Sequence, residues 1–406
     1  MDNQLALIYG DLSISWFALF AVAGCLAGML LACMLRKISG KNASDMFVLV
    51  TFAAPIALIF ARIQYCMFAD ENFSNTYDML NLSNGGYGLY GAILGVFAAA
   101  VLVNLIFKMG GVGSLMDCTA LGGALAITVG RFATQFTGTE IGYEVSFDVF
   151  AVPDASGTVN NLAVYMLDGI LEAVVLAVCL IFYIIQLVNK NEKALKGTTA
   201  LLVLALHGTN QVVMDSLRSD ALKLGANDFI KISQIIGILT CVAVIVYFMV
   251  KVIKRDKFKK YNAWHIVVIV ACIVLGILSE YRVGNCNYIS KHILMLVCMV
   301  VLAALTVWYG ARAVKPSLAV ETPTDEVPDA VTPAIETTSE SPVTEEPAKE
   351  ETVIDVPAAQ KTAIEVPVAE ESVVEIPVEE ISVEESSAVE EPAVESTESE
   401  TPASAE

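Results

Sequence analysis

Nine apolar segments, each about as long as a bilayer is thick, constrain the fold of this chain more than any other feature. They lie at about 12–35, 46–68, 87–107, 115–136, 162–188, 198–217, 232–250, 264–279 and 292–311. About 20 apolar residues in a helix cross the hydrocarbon core. In lipid, a spanning segment must satisfy its own backbone hydrogen bonds, which favours helices. We therefore predict an all-α fold: a polytopic membrane helix bundle with about nine transmembrane helices. The segments at 115–136 and 198–217 are the most polar.

The basic residues between these segments predict an orientation. If the N-terminus lies outside, the inner loops hold 15 Lys and Arg residues and the outer loops hold five. Basic residues accumulate in cytoplasmic loops of membrane proteins. We therefore expect a multi-pass protein with its N-terminus outside and its C-terminal tail in the cytoplasm.

The C-terminal part of the chain, residues 316–406, has a different composition. It holds 25 Asp and Glu against two Lys, and 11 of the 13 prolines, whereas residues 1–315 hold 22 basic and 19 acidic residues. A segment with high net charge and few aromatic residues cannot bury enough apolar surface to fold. We expect a disordered, acidic Pro/Glu/Val-rich tail.

Arg131 is the polar residue that most needs explaining, because it lies in the outer half of the fourth segment. Charged groups at membrane depth are costly and usually have a partner or a functional role. The sixth segment carries His207, Asn210, Gln211 and Asp215, followed by Arg218, toward the same side of the membrane. Two readings stay open: these groups join helices by hydrogen bonds, or they bind an anion. A guanidinium binds phosphate through two parallel hydrogen bonds.

The glycines in "NGGYGLYGAILG" also allow two readings. Gly88, Gly91 and Gly95 recur at helical spacing, which is typical of close helix packing, but glycine also lets a ligand approach the backbone. No spacing of cysteines or histidines indicates a metal site, so we expect no metal and no cofactor.

Several motifs, in order along the chain, resemble those of bacterial prolipoprotein diacylglyceryl transferases. "GDLSISWFALFAVAGCLAG" and "FARIQYCMF" are similar to the first two spans of that family, and "NGGYGLYGAILG" resembles its third-span motif, with Tyr90 before the glycine. "DCTALGGALAITVGRFATQFTGTEIG" resembles the signature around Arg131, and "HGTNQVVMDSLRSD" resembles the late motif. The resemblance divides the chain into a transferase-like domain (1–255), two additional helices (256–315) and the tail (316–406).

The resemblance implies a reaction and a location. The diacylglyceryl group of phosphatidylglycerol moves to the lipobox cysteine thiol of a prolipoprotein, at the outer leaflet of a bacterial plasma membrane. The expected partners are this lipid, prolipoprotein signal peptides and the membrane, with no nucleic acid. By the resemblance, the catalytic residues are Tyr90, Arg131 and Glu140. The expected substrate-binding residues are Arg131, Arg218, Asp215, Gln211, Gly91 and Gly138.

The sequence departs from the family pattern at several of these positions. Thr134 and Thr137 stand where the signature has Asn, Gln211 stands where the late motif has Arg, and Asp215 stands where Glu is usual. Losing a cation beside a phosphate removes electrostatic stabilisation that is typically worth about 3 kcal/mol. The alternative function is therefore a diverged relative without transferase activity that binds anionic lipid or serves as a membrane scaffold. A transporter is a third reading, disfavoured because the chain has no repeated halves.

Overall fold

The computed structural model describes residues 5–9, 12–69, 77, 79, 81, 85–153, 157–190, 196–218, 220–224, 231–280 and 288–314. The acidic segment 316–406, for which the sequence predicts disorder, lies outside the described residues, as does the loop containing Cys286.

The described residues form nine long helices, which confirms the predicted all-α membrane bundle. The helices are α1 (Trp16–Ile38), α2 (Ser44–Phe68), α3 (Leu89–Phe107), α4 (Val112–Ala133), α5 (Val164–Val188), α6 (Thr198–Leu217), α7 (Ile232–Asp256), α8 (Lys260–Glu280) and α9 (Tyr288–Ala313). Each coincides with one predicted apolar segment. Within the described part of the chain, eight helices are long and apolar enough to cross a membrane, and α6 is the exception.

Helix α6 is more polar because protein, and not lipid, surrounds most of it. It packs against α4, α5, α7 and α9. Most of its residues are buried, including His207, Asn210, Gln211 and Asp215. A helix enclosed by other helices can carry polar side chains as long as its neighbours satisfy them. The weak apolar signal of this segment therefore reflects its central position.

Small residues set the close contacts between helices. Gly28 of α1 and Gly122 of α4 face each other so closely that a Cβ on either would overlap the backbone carbonyl of the other. In the same way, Gly91 and Gly95 of α3 pack against the backbone of α2 at Phe60 and Ala57. The glycine-rich third span is thus a packing seam.

The last two helices belong to the same bundle as the others. Helix α9 packs against α6, α7 and α8. Leu302 and Tyr309 of α9 join Phe248 of α7 in one buried apolar cluster. The residues predicted as an added segment, 256–315, therefore contribute to burying the central helix.

Two small sheets occur at helix ends and were not predicted. An antiparallel hairpin of β1 (Leu5–Tyr9) and β2 (Leu12–Ser15) precedes α1, so the first helix begins at Trp16 and not near residue 12. Between α4 and α5, β3 (Ile141–Val145), β4 (Ala151–Pro153) and β5 (Asn160–Ala163) form an antiparallel sheet in the order β3-β5-β4. Gly142 of β3 also pairs with Arg218, which ties this sheet to the end of α6.

Candidate functional site

A cavity of about 820 Å³ opens where α2, α4 and α6 end and where α3 and α7 begin. Six of the predicted residues line it: Tyr90, Arg131, Glu140, Gln211, Asp215 and Arg218. The ends of these five helices meet at one level because successive spans run in opposite directions. The lining also includes aromatic and apolar side chains from α2 and from the loop before α3, among them Tyr65, Phe68 and Tyr87.

Arg131 is fixed by three acceptors from three different segments. Its guanidinium forms ion pairs with Glu140 and with Asp168 of α5, the latter at 2.8 Å from Nε to Oδ2, and Nη2 donates to Gln211 Oε1 at 3.0 Å. The side chain remains 12% exposed toward the cavity. A guanidinium has five N–H groups, so these three acceptors leave donors available at the cavity surface.

Glu140 connects the two arginines of the cavity. Its carboxylate pairs with Arg131 and, at 3.0 Å, with Nη1 of Arg218. The residue has a φ of 59°, in the left-handed region that is uncommon for residues other than glycine. Its N–H donates to Asp220 Oδ2 at 2.9 Å, and its carbonyl accepts from the N–H of Tyr165. Backbone strain that neighbours hold in place is often found at functional sites.

Burial and charge act in opposite directions on Glu140 and Asp220, two acidic residues in loops at the cavity. Burial raises the pKa of Glu140 above its ordinary value, and Arg131 and Arg218 only partly offset this effect. Burial also acts to raise the pKa of Asp220, but its hydrogen bond from Arg218 Nε, at 3.0 Å, and the bond from the Glu140 N–H hold that pKa below its ordinary value. The two carboxyl groups therefore differ in how easily they take up a proton.

Two acidic residues of α5, Asp168 and Glu172, belong to the site although the sequence analysis missed them. Asp168 pairs with Arg131 and accepts from the side-chain amides of Asn210, at 2.6 Å, and Gln211, at 3.2 Å. Glu172 accepts from Asn210 and pairs with His207 Nδ1, both at 2.7 Å. An Asp and a Glu four residues apart in an apolar helix share one face and are costly in lipid. That spacing in "LDGILEAVV" was the available signal.

Tyr90 lies between the cavity and this buried acidic cluster. Its ring is 5.6 Å from the ring of His207, measured between centroids. The hydroxyl of Tyr90 and Nε2 of His207 are both buried, and neither has a hydrogen-bond partner among the described residues. Tyr90 therefore presents an unused donor and acceptor beside the cavity.

Gly91 and Gly138 are not among the residues that line the cavity. Gly91 packs on α2, and its N–H donates to the side chain of Gln64. Gly138 has a φ of 68° in the turn after α4, where glycine avoids strain. Arg62 of α2 is also directed elsewhere, since it donates to the carbonyls of Met79 and Gly86 at 2.9 and 3.1 Å. A substrate-binding role for the two glycines stays a prediction.

The charges in the cavity are balanced. In the part of the chain that the structure describes, the lining contains the cations Arg131, Arg218 and Lys223 and the carboxylates Glu140, Asp215 and Asp220. No group of three or more His, Cys, Asp or Glu side chains among the described residues is arranged to hold a metal ion. At its polar end, the cavity has two guanidinium groups that share one carboxylate, and elsewhere its lining includes apolar side chains. This combination suits a molecule with an anionic group and a hydrocarbon part.

Comparison with known proteins agrees with this picture. The family model for prolipoprotein diacylglyceryl transferase matches residues 4–250. A protein of Clostridium kluyveri named phosphatidylglycerol–prolipoprotein diacylglyceryl transferase is 26% identical over 250 residues, covering 60% of this chain and 96% of its own length. Proteins of the same name from Clostridium botulinum, strain Langeland, and, numbered 1, from Clostridium perfringens are 27% and 25% identical, covering 63% and 64% of this chain and 99% and 97% of their own lengths. This chain belongs to the prolipoprotein diacylglyceryl transferase family.

Proposed function

We propose that this chain transfers the diacylglyceryl group of phosphatidylglycerol to the lipobox cysteine of prolipoproteins. The sulfur of the thiol attacks the diacylglycerol carbon that bears the phosphate ester. A carbon–sulfur bond forms, the carbon–oxygen bond breaks, and glycerol phosphate leaves with the electron pair. The family and the names of the relatives favour this enzyme over the alternative of a lipid-binding protein without transferase activity.

The observation that carries the proposal is the pair of arginines bridged by one carboxylate at the cavity. Arg131 and Arg218 come from different helices, and Glu140 holds both guanidinium groups together. A phosphodiester carries the same charge as this carboxylate and can accept from both arginines. Groups already fixed in place stabilise the charge that develops on a leaving phosphate without reorganising. In this arrangement Arg218 supplies the second cation, and Gln211 contributes only hydrogen bonds.

Glu140 is the residue we assign to accept the thiol proton. A phosphate that binds between the arginines takes over part of their hydrogen bonding, which leaves the carboxylate less stabilised and more basic. Burial already raises the pKa of Glu140, and a base is most effective when its pKa is near the working pH. The ordinary pKa of tyrosine, near 10, makes Tyr90 a poor base. We assign Tyr90 to orient the thiol by a hydrogen bond.

The remaining assignments concern substrate contacts and topology. Asp215 stays next to Arg218, at 3.7 Å, and restrains its side chain.

The multi-pass bundle carries the site at one membrane face, and we assign that face to the outside of a bacterial plasma membrane, with the N-terminus out and the tail 316–406 in the cytoplasm. Labelling of Cys286 from outside intact cells and a cytoplasmic reporter signal at Glu406 are the expected results. A tail that external protease removes would contradict this orientation.

The direct test uses the purified full chain in vesicles with a synthetic lipobox peptide. With phosphatidylglycerol we expect the peptide to gain the mass of a diacylglyceryl group in thioether linkage and glycerol phosphate to be released. Vesicles of phosphatidylcholine alone are the control, because this lipid has no glycerol phosphate leaving group. Thr128→Ala, on the same helix as Arg131, serves as a matched control with near-parent activity, because the Thr128 hydroxyl donates only to the Ala124 carbonyl. Phosphatidylglycerol bound without any transfer would select the lipid-binding alternative.

A further inference from the structure

Lys231, directly before α7, is buried although it is one of the five basic residues that the sequence places in outer loops. It is only 4% exposed. Its ammonium donates to the backbone carbonyl of Asp215 and, at 2.8 Å, to that of Arg218. The last carbonyls of a helix have no partner within the helix, and a lysine there satisfies them and complements the helix dipole. Lys231 thus fixes the end of α6, from which Arg218 extends.

Helix α8 supplies a countercharge to Lys231. Glu280, the last residue of α8, acts on Lys231 by its charge and hydrogen-bonds the side chain of Gln234. Gln234 in turn donates to the Val212 carbonyl of α6 at 3.2 Å. Burial lowers the pKa of Lys231, and the charge of Glu280 counteracts part of that effect. Glu280 lies beyond residues 4–250, where the family model matches.

The geometry of Arg218 makes it sensitive to the end of α6. The residue leaves the helix in an extended conformation, with φ −84° and ψ 141°, and pairs with Gly142 of β3. Its guanidinium contacts Glu140 and Asp220, both at 3.0 Å. A shift of the last turn of α6 therefore moves one of the two guanidinium groups relative to the other.

We propose that Lys231 is a positioning residue for Arg218: its buried ammonium caps the carbonyls that end α6, and the arginine extends from that end. The inference rests on the proposed function in so far as it gives Arg218 a substrate to bind. The position of the arginine itself is independent of the reaction.

The experiment compares Lys231→Met, Lys231→Gln and Lys231→Arg with the parent, each as the full chain. Lys254→Met is the matched control, because Lys254 is an exposed lysine near the other end of α7. Two properties are measured: the kcat and KM of transfer with phosphatidylglycerol vesicles, and hydrogen–deuterium exchange of the segment 212–224. We expect Lys231→Met to lower kcat/KM about tenfold, since a displacement of about 1 Å can cost up to 10²-fold, and to speed exchange of this segment. Lys231→Gln, which keeps an N–H donor without the charge, should change both properties in the same direction by less, and Lys231→Arg should keep most of the parent's activity.

The outcomes separate this inference from the proposed function. If Lys231→Met lowers Tm but leaves kcat, KM and exchange of 212–224 at the level of Lys254→Met, Lys231 is only a structural cap and the inference is wrong. If Lys231→Met does not fold, parent-level kcat, KM and exchange in Lys231→Gln overturn the inference in the same way. If the parent shows no transfer, the proposed function fails, and the exchange measurement alone decides whether Lys231 positions Arg218.

Discussion

Two arginines at opposite ends of the bundle have similar partners and different surroundings. Arg36, at the end of α1, is fully buried and contacts Asp45 at 2.7 Å, Ser114 at 2.8 Å and the Met109 carbonyl at 2.6 Å. Arg131 lies 17 residues beyond Ser114 along α4, which is roughly 26 Å at 1.5 Å per residue. It also has acidic partners, but it is 12% exposed and lines the cavity.

The comparison shows that a satisfied charge inside a membrane bundle is not by itself a sign of function. Arg36 joins α1, α2 and α4, and none of its side chain is exposed. Arg131 differs in three respects: it faces a cavity, it shares a carboxylate with a second arginine, and that carboxylate belongs to a residue with positive φ. The cavity beside Arg131, and not its ion pairs, distinguishes the candidate site from the structural role of Arg36.

Removing the charge of Arg36 should have the largest effect on stability. Arg36→Met leaves Asp45 without its guanidinium partner, and breaking one half of a buried pair costs roughly 3–5 kcal/mol. We expect a large fall in the midpoint of unfolding by denaturant in detergent, while transfer per folded molecule stays near that of the parent. Loss of transfer without loss of stability would place Arg36 in the site and remove the contrast.

Arg131→Lys should have the largest effect on transfer. Arg131→Ala is less informative, because it would leave Asp168 without a cationic partner and Glu140 with Arg218 alone. Lysine keeps the positive charge for these acids but cannot form the two parallel hydrogen bonds to a phosphate. We expect the rate of transfer from phosphatidylglycerol to a lipobox peptide to fall about 10²–10³-fold. The unfolding midpoint should stay close to that of the parent.

Glu140→Gln should reduce transfer somewhat less. Glutamine keeps the shape and the conformational strain of this position but can neither accept the thiol proton nor carry the charge that holds both arginines. We expect kcat to fall about 10²-fold, at the lower end of what a general base contributes. The dependence of kcat on pH should flatten at the acidic side. A Glu140→Gln variant whose pH profile matches the parent would remove Glu140 as the proton acceptor.

Asp220 should give the smallest effect, and it should depend on pH. Its folded-state pKa lies below the ordinary value near 3.9. The stabilisation is therefore fully present above about pH 4 and is lost as the pH falls toward the folded-state pKa. We expect the Tm of the parent to exceed that of Asp220→Asn at pH 7 and the difference to shrink near pH 3. A constant difference would show that the carboxylate charge is not responsible.

The helices could be predicted from sequence because every residue of a span contributes to its apolar signal. All nine predicted segments became helices, including Thr198–Leu217, whose polar residues face other helices and not lipid. The two small sheets were not predicted, since strands of three to five residues beside long apolar helices carry little pattern of their own. Because a strand precedes it, the first helix begins at Trp16, later than the sequence predicts.

The site was only partly predictable, because pairing between helices is not visible in one sequence. Depth along the spans placed Arg131, Gln211, Asp215 and Arg218 at one level, and the structure places all four around one cavity. Asp168 was missed, although an acidic residue within an apolar helix is itself a signal. Lys231 could not have been recognised, because a loop lysine looks the same whether it faces water or the end of a buried helix.

The most direct test measures Arg131→Lys and Arg36→Met side by side, each for transfer from phosphatidylglycerol to a lipobox peptide and for thermal unfolding. We predict that Arg131→Lys loses about 10²-fold or more in transfer while its Tm stays near that of the parent. We predict the reverse for Arg36→Met, with a lower Tm and near-parent transfer per folded molecule. Parent-level transfer by a folded Arg131→Lys protein would contradict the claim that Arg131 binds the lipid phosphate.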